Sequence, residues 1–184
     1  ISVYPIPFYR VFVSRGLSIE DRTIGDPIVE MIKEWGFKTI TVGIEIKAPD
    51  EQVLQKVREE IRRAYALIAI VTPRYRDALT GLWRTLEWLH SEIGIAFGID
   101  KPLLILKDKR VSLGGLPSYL VSMKQTPIIE FDPYNLDELR TGLSAIIPGF
   151  REWIETKTRQ EFFDALGRII IGGLAVVGGI AILS

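Results

Sequence analysis

The chain has 184 residues, 47% of them hydrophobic, which suits one domain of ordinary size with a buried core and an appendage. Its 23 Lys and Arg balance 23 Asp and Glu, so no global field draws it to nucleic acid, and no nucleic-acid partner is expected. With no cysteine and His90 as the only histidine, disulfides, thiolate catalysis and cysteine-ligated metals are excluded, while a histidine metal cluster or serine–histidine triad lacks members.

In chain order, residues 8–14 are β-branched and aromatic and predict a first strand. A polar loop follows through Gly16 to Gly25. Asp26-Pro27 then predicts an N-cap followed by an N1 proline, with Ile28, Val29, Ile32 and Trp35 at helical spacing up to Gly36. Residues 37–42 predict a second strand and 43–49 its exit loop. Asp50 caps a helix whose apolar face is Val53, Leu54, Val57, Ile61 and Ala64. Its Arg58, Arg62 and Arg63 interleave with Glu59 and Glu60, which reads as a solvated face. Residues 66–72 and 103–106 are apolar without alternation, the mark of strands buried on both faces of a parallel sheet. Residues 128–131 make a fifth strand and 136–147 the helix after it.

Strand and helix alternate five times over residues 8–148, which predicts one doubly wound α/β domain. In such sheets the ligand crevice lies beyond the carboxyl ends of the strands, where strand order reverses, so the loops after Ser14, Gly43 and Thr72 form the expected rim.

Between the third and fourth strands lies the segment Trp88 to Leu106. It reads as a helix carrying an acid among small residues, a Lys-Pro turn and a short strand. Trp88 and Glu92 are four apart and share a helix face, while Gly94, Ala96 and Gly98 keep the adjoining surface thin. A lone carboxylate beside an aromatic ring and a thin wall suits sugar or nucleotide chemistry. The helix start matters: from Gly81, Glu92 would lie roughly 16 Å along the axis and far from the crevice, but from a Thr85 N-cap only about 10 Å. A catalytic role needs the later start.

The tail, residues 149–184, is read as a separate helical element. From Ile169 to Ser184 nothing is charged, and as a helix this run would span roughly 24 Å, short of a ~30 Å hydrocarbon core. Gly172, Ala175 and Gly179 form a small-residue stripe. Two readings stand: membrane contact through 166–184, or packing on protein. No basic stretch precedes an apolar run near Ile1, so no secretory leader is expected, and the expected location is cytoplasmic with the tail as the possible membrane link.

Taken together, Val11-Phe12-Val13-Ser14, then Ala64 through Tyr75, then Trp88 through Leu106 resemble the TIR-domain family and its TIR-like relatives over residues 9–131. The resemblance implies a flavodoxin-like doubly wound five-stranded parallel sheet, here with a C-terminal apolar helix. Glu92-x-Gly-x-Ala-x-Gly-x-x-Lys-Pro also resembles nucleoside 2-deoxyribosyltransferases and related nucleotide hydrolases. Both resemblances imply a glutamate at the centre of cleavage of a ribosyl–base bond, and the matching residue is Glu92. The catalytic TIR resemblance implies NAD⁺ as substrate rather than cofactor, with no bound cofactor or metal, and activity as a homo-oligomer. Breaking the bond places positive charge on the ribose, which a carboxylate stabilises or captures. Nicotinamide leaves neutral, so one acid suffices.

Around Glu92, Ser14, Arg15 and Gly16 are candidates for holding a phosphate, or alternatively a turn and a solvated cation. Gly43 opens the loop that gates the site or mediates self-association in the family. Phe12, Tyr75 and Trp88 are candidate stacking surfaces for a base, with core packing the competing reading for Trp88. His90 is read as a surface residue without a partner. Three functions are thus expected in competition: a TIR-like NAD⁺ glycohydrolase, a non-catalytic signalling or self-association module, and a deoxyribosyltransferase-like or nucleotide N-hydrolase enzyme.

Overall fold

A computed structural model describes residues 8–156 and 158–166, and the backbone of three further strands between 170 and 183. In chain order the elements are β1 (Tyr9–Ser14), α1 (Ile19–Glu34), β2 (Phe37–Ile40), a single 3₁₀ turn (Asp50–Gln52) leading into α2 (Val53–Arg63), β3 (Ala66–Val71), β4 (Tyr75–Arg76), β5 (Trp83–Arg84), α3 (Glu87–Gly98), β6 (Leu103–Asp108), α4 (Gly115–Ser122), β7 (Ile128–Phe131), α5 (Asp137–Glu155) and α6 (Arg159–Leu166).

The central sheet has the order β2-β1-β3-β6-β7, with every one of these neighbours parallel. Strand order reverses between β1 and β3, so this is a flavodoxin-like, doubly wound α/β fold whose crevice belongs at the β1/β3 carboxyl edge. The alternation of side chains along each strand divides the core in two. Ile68 and Ile70 face α1, α5 and α6, with Ile28, Ile32, Leu143, Phe150 and Phe162. Leu67, Ala69 and Val71 face α2, α3 and α4, with Val57, Ile61, Leu89, Ile93 and Leu120. Burial on both faces explains the unbroken apolar runs.

Helix α1 starts eight residues before Asp26-Pro27. Ser18 is its N-cap: the Ser18 hydroxyl accepts from the Asp21 backbone N–H at 3.1 Å, and the Asp21 carboxylate accepts from the Ser18 N–H at 3.3 Å. This reciprocal box nucleates the helix earlier than the proline does, and Pro27 is carried inside it. Asp26 is therefore not a cap; it pairs with Arg15. Ser18→Ala is expected to cost about 1 kcal/mol in a urea titration, the usual worth of such a cap.

Two elements had no expectation from sequence: the short antiparallel hairpin of β4 and β5, and helix α4. After the fifth parallel strand, α5 runs on to Glu155 instead of ending near 147, and α6 follows. Phe150, Trp153, Phe162, Phe163 and Leu166 are all buried in the first core, so α5 beyond 149 and α6 pack against the sheet as part of the same unit. Trp153 and Phe162 stack with centroids 4.8 Å apart.

The expected C-terminal apolar helix is not what forms. Ile170–Ile171 (β8), Leu174–Val177 (β9) and Ile180–Leu183 (β10) are strands, and β10 joins the edge of β7 in parallel while β9 and β8 follow antiparallel. The segments are rich in β-branched residues and separated in sequence by Gly-Gly pairs, each glycine costing about 1 kcal/mol in a helix. Gly172 and Gly179 of the expected small-residue stripe lie outside the described residues. Among the described residues no helix is long and apolar enough to cross a membrane.

Candidate functional site

Glu92 sits on α3, whose N-cap is Leu86, so the carboxylate is about 9 Å from the helix start and close to the crevice edge. The start just beyond Thr85 is the one a catalytic role needs. With Leu89, Ile93 and Ala96, Glu92 belongs to the buried face of α3, and only 5% of it is exposed. Burial pushes its carboxyl up to about 7; the neighbouring Ser14 hydroxyl and Trp88 indole partly oppose that shift. Ser14 ends β1 and is fully buried. Glu92 Oε2 and Ser14 Oγ are both buried without a partner at hydrogen-bond geometry. An unpaired buried carboxylate oxygen costs free energy, and at the reversal point of an α/β sheet such a cost is characteristic of a functional group. Trp88, one helical turn nearer the rim on the same face, is 40% exposed and is therefore not a core residue.

The remaining sequence candidates divide. Arg15 is neither solvated nor open to a phosphate: its side chain is 3% exposed, it pairs with Asp26 at 2.6 Å, and a Cβ on Gly25 would stand 2.7 Å from its Nη2. Phe12 is 1% exposed within the second core and offers no stacking face to a ligand, because its position in β1 points it into the α2–α3 layer. Gly16 is a packing glycine, since any Cβ there would lie 2.2 Å from an Asp21 carboxylate oxygen. Gly43, with φ near +100°, turns the loop after β2 toward Leu17 of the loop after β1, and its N–H donates to Ile46 O at 2.7 Å. Tyr75 lies on the β4–β5 hairpin, 45% exposed at the rim. The structure thus brings together Glu92, Ser14 and Trp88, keeps Gly43 and Tyr75 on the rim, and removes Phe12 and Arg15 to the interior.

Sequence reasoning missed Asp21. Its buried carboxylate accepts from Thr72 Oγ1, Arg74 Nη1 and Ser18 Oγ, each at 2.7 Å. One side chain thereby ties the loop after β1 to the loop after β3, the two segments that border the crevice. The Ser-x-x-Asp spacing was the available signal. Thr41 fastens the next rim loop, donating from Oγ1 to Val13 O at 2.9 Å. His90 also differs from expectation: it is half-buried on the far flank of α3 from Glu92, beside Gly115.

No family model matches this chain, and no curated protein does. Among solved structures, the chain is similar to the CMP N-glycosidase BcmB of Clostridium botulinum, at 16% identity over 73% of this chain and 98% of that one, with a TM-score of 0.50. It is also similar to a diflavin flavoprotein A3 from a Nostoc species (17% identity, 78% and 94% covered, TM-score 0.41). A third likeness is to FerB, an NAD(P)H:(acceptor) oxidoreductase from Paracoccus denitrificans (13% identity, 82% and 98% covered, TM-score 0.45). The first of these supports the fold. None of the three is a TIR domain, so the resemblance to that family stands on the sequence motifs.

Proposed function

We propose that this protein is a nucleotide N-glycosidase in which Glu92 attacks or stabilises the anomeric carbon of a ribosyl–base bond. The observation that carries the proposal is the buried, incompletely bonded Glu92 carboxylate beside Ser14 at the β1/β3 reversal. The similarity to a fold that serves a CMP N-glycosidase supports it. In the reaction the C1′–N bond breaks with its electron pair going to the base. Glu92 meets the developing positive charge, and water then supplies the hydroxyl at C1′ and releases the carboxylate. The Ser14 hydroxyl is placed to donate to the ionised carboxylate once the neighbouring groups adjust.

Within this reading NAD⁺ is the favoured substrate. Its pyridinium departs as neutral nicotinamide without a proton, whereas cytosine departs as an anion unless an acid protonates it. Glu92 is the carboxyl that Ser14 neighbours, and one carboxyl cannot be fully ionised for attack while donating a proton. The expected result is release of nicotinamide from NAD⁺ or nicotinamide mononucleotide faster than cytosine from CMP, followed by chromatography of the freed base. Because the ionised form acts, the rate should rise about tenfold per pH unit below 7 and level off above it. No base released from any of these substrates by concentrated protein would overturn the proposal. Activity as a homo-oligomer is part of the same proposal, tested by sedimentation of the active species.

A further inference from the structure

A concavity opens on the flank of α3 away from Glu92. His90 lines it, and His90 and Glu92 are two residues apart, roughly 200° around the helix. The cleft has a volume of about 420 Å³, within the range of small-molecule sites. Three segments wall it: the β4–β5 hairpin with Tyr75 and Arg84, the first turn of α3 with Glu87 and His90, and the loop before α4 with Ser112. Arg84 Nη1 donates to Ser112 O at 3.1 Å and so pins that loop to the hairpin. Two glycines keep the wall thin. A Cβ on Gly114 would stand 3.1 Å from Arg84 Nη1, and one on Gly115 3.3 Å from His90 Nδ1, where the backbone φ of +58° already disfavours a side chain.

The lining decides what fits. Arg84 only donates and Glu87 only accepts, while neutral His90 and the hydroxyls of Tyr75, Thr85 and Ser112 do both. The formal charges of Arg84 and Glu87 cancel. Burial holds His90 below its ordinary value, Glu87 opposing and Arg84 reinforcing that shift, so the imidazole is uncharged near pH 7. Nothing here favours a phosphate dianion. Donors and acceptors around one half-exposed aromatic ring instead match a hydroxylated sugar bearing a flat substituent. We propose that this cleft binds the ribosyl ring and base of an uncharged nucleoside, at a site separate from the Glu92–Ser14 pair. The proposal holds whether or not Glu92 is catalytic.

Nitrogen-15 spectra of the full chain, titrated with cytidine and with adenosine, test it without any substitution. Saturable shifts are expected at the amides of residues 84–90 and 112–116. Glu87→Ala and His90→Ala should each weaken binding at least about fivefold, the worth of one net hydrogen bond, while Glu138→Gln, exposed on α5, binds as the parent does. Absence of saturation with either nucleoside would overturn the proposal. So would shifts centred on Ser14 and Trp88–Glu92 with 112–116 silent. Binding of cytidine 5′-monophosphate at the same amides more than about tenfold tighter than cytidine would show that phosphate is what the cleft recognises, and would overturn it equally.

Discussion

Glu92→Gln is expected to reduce base release at least about 10³-fold and, in the same protein, to raise stability at pH 8. The two effects share a cause. The carboxyl ordinarily titrates near 4.5, and burial raises it to about 7 in the folded chain. A group that holds its proton more tightly when folded contributes stability below its unfolded value, and that contribution is lost as pH climbs through the folded value. At pH 8 the anion is therefore a liability of about 3 kcal/mol, which a neutral isostere removes. At pH 4 parent and variant should unfold almost together, because both carry an uncharged side chain. Urea titrations at pH 4, 6 and 8 would show the gap opening with pH. Parallel stabilities across that range would mean that Glu92 is solvated, and the assignment of the site would fall with it.

Phe162→Ala is expected to cost about 3–5 kcal/mol, and to lower the midpoint of thermal unfolding by about 10 °C. Phe162 is 2% exposed, stacks on Trp153 and meets Phe150 and Phe163 edge-on. Removing the ring leaves a cavity among aromatic side chains that cannot easily close over it. The loss should appear in a single cooperative transition, since α6 packs on the same core as α1 and α5. A change below about 0.5 kcal/mol, the size of an ordinary surface substitution, would mean that α6 is not docked there.

The parallel strands were legible because burial on both faces leaves an unmistakable run such as Ala66–Val71, and from them the fold class followed. Helix α3 was legible for a different reason: Trp88 and Glu92 stand four apart among the small residues Gly94, Ala96 and Gly98, ahead of the Lys101-Pro102 turn. What sequence could not show was where polar side chains point. Arg15 follows a strand where a phosphate clamp was expected, yet a carboxylate eleven residues later draws it inward. Asp21 carried no role in the sequence because its partners, Thr72 and Arg74, lie about fifty residues away. At the tail, uncharged residues fit helix and strand alike, and the available edge of β7 was not visible from composition.

The Glu92 carboxylate is covered in this form, so the proposed reaction requires the residues around it to part before a nucleotide can meet it. Apparent affinity is then the intrinsic affinity diluted by the open fraction. Any binding event that favours the parted form, whether by a second copy of the chain or by a small effector, would accelerate turnover without altering a single reacting atom.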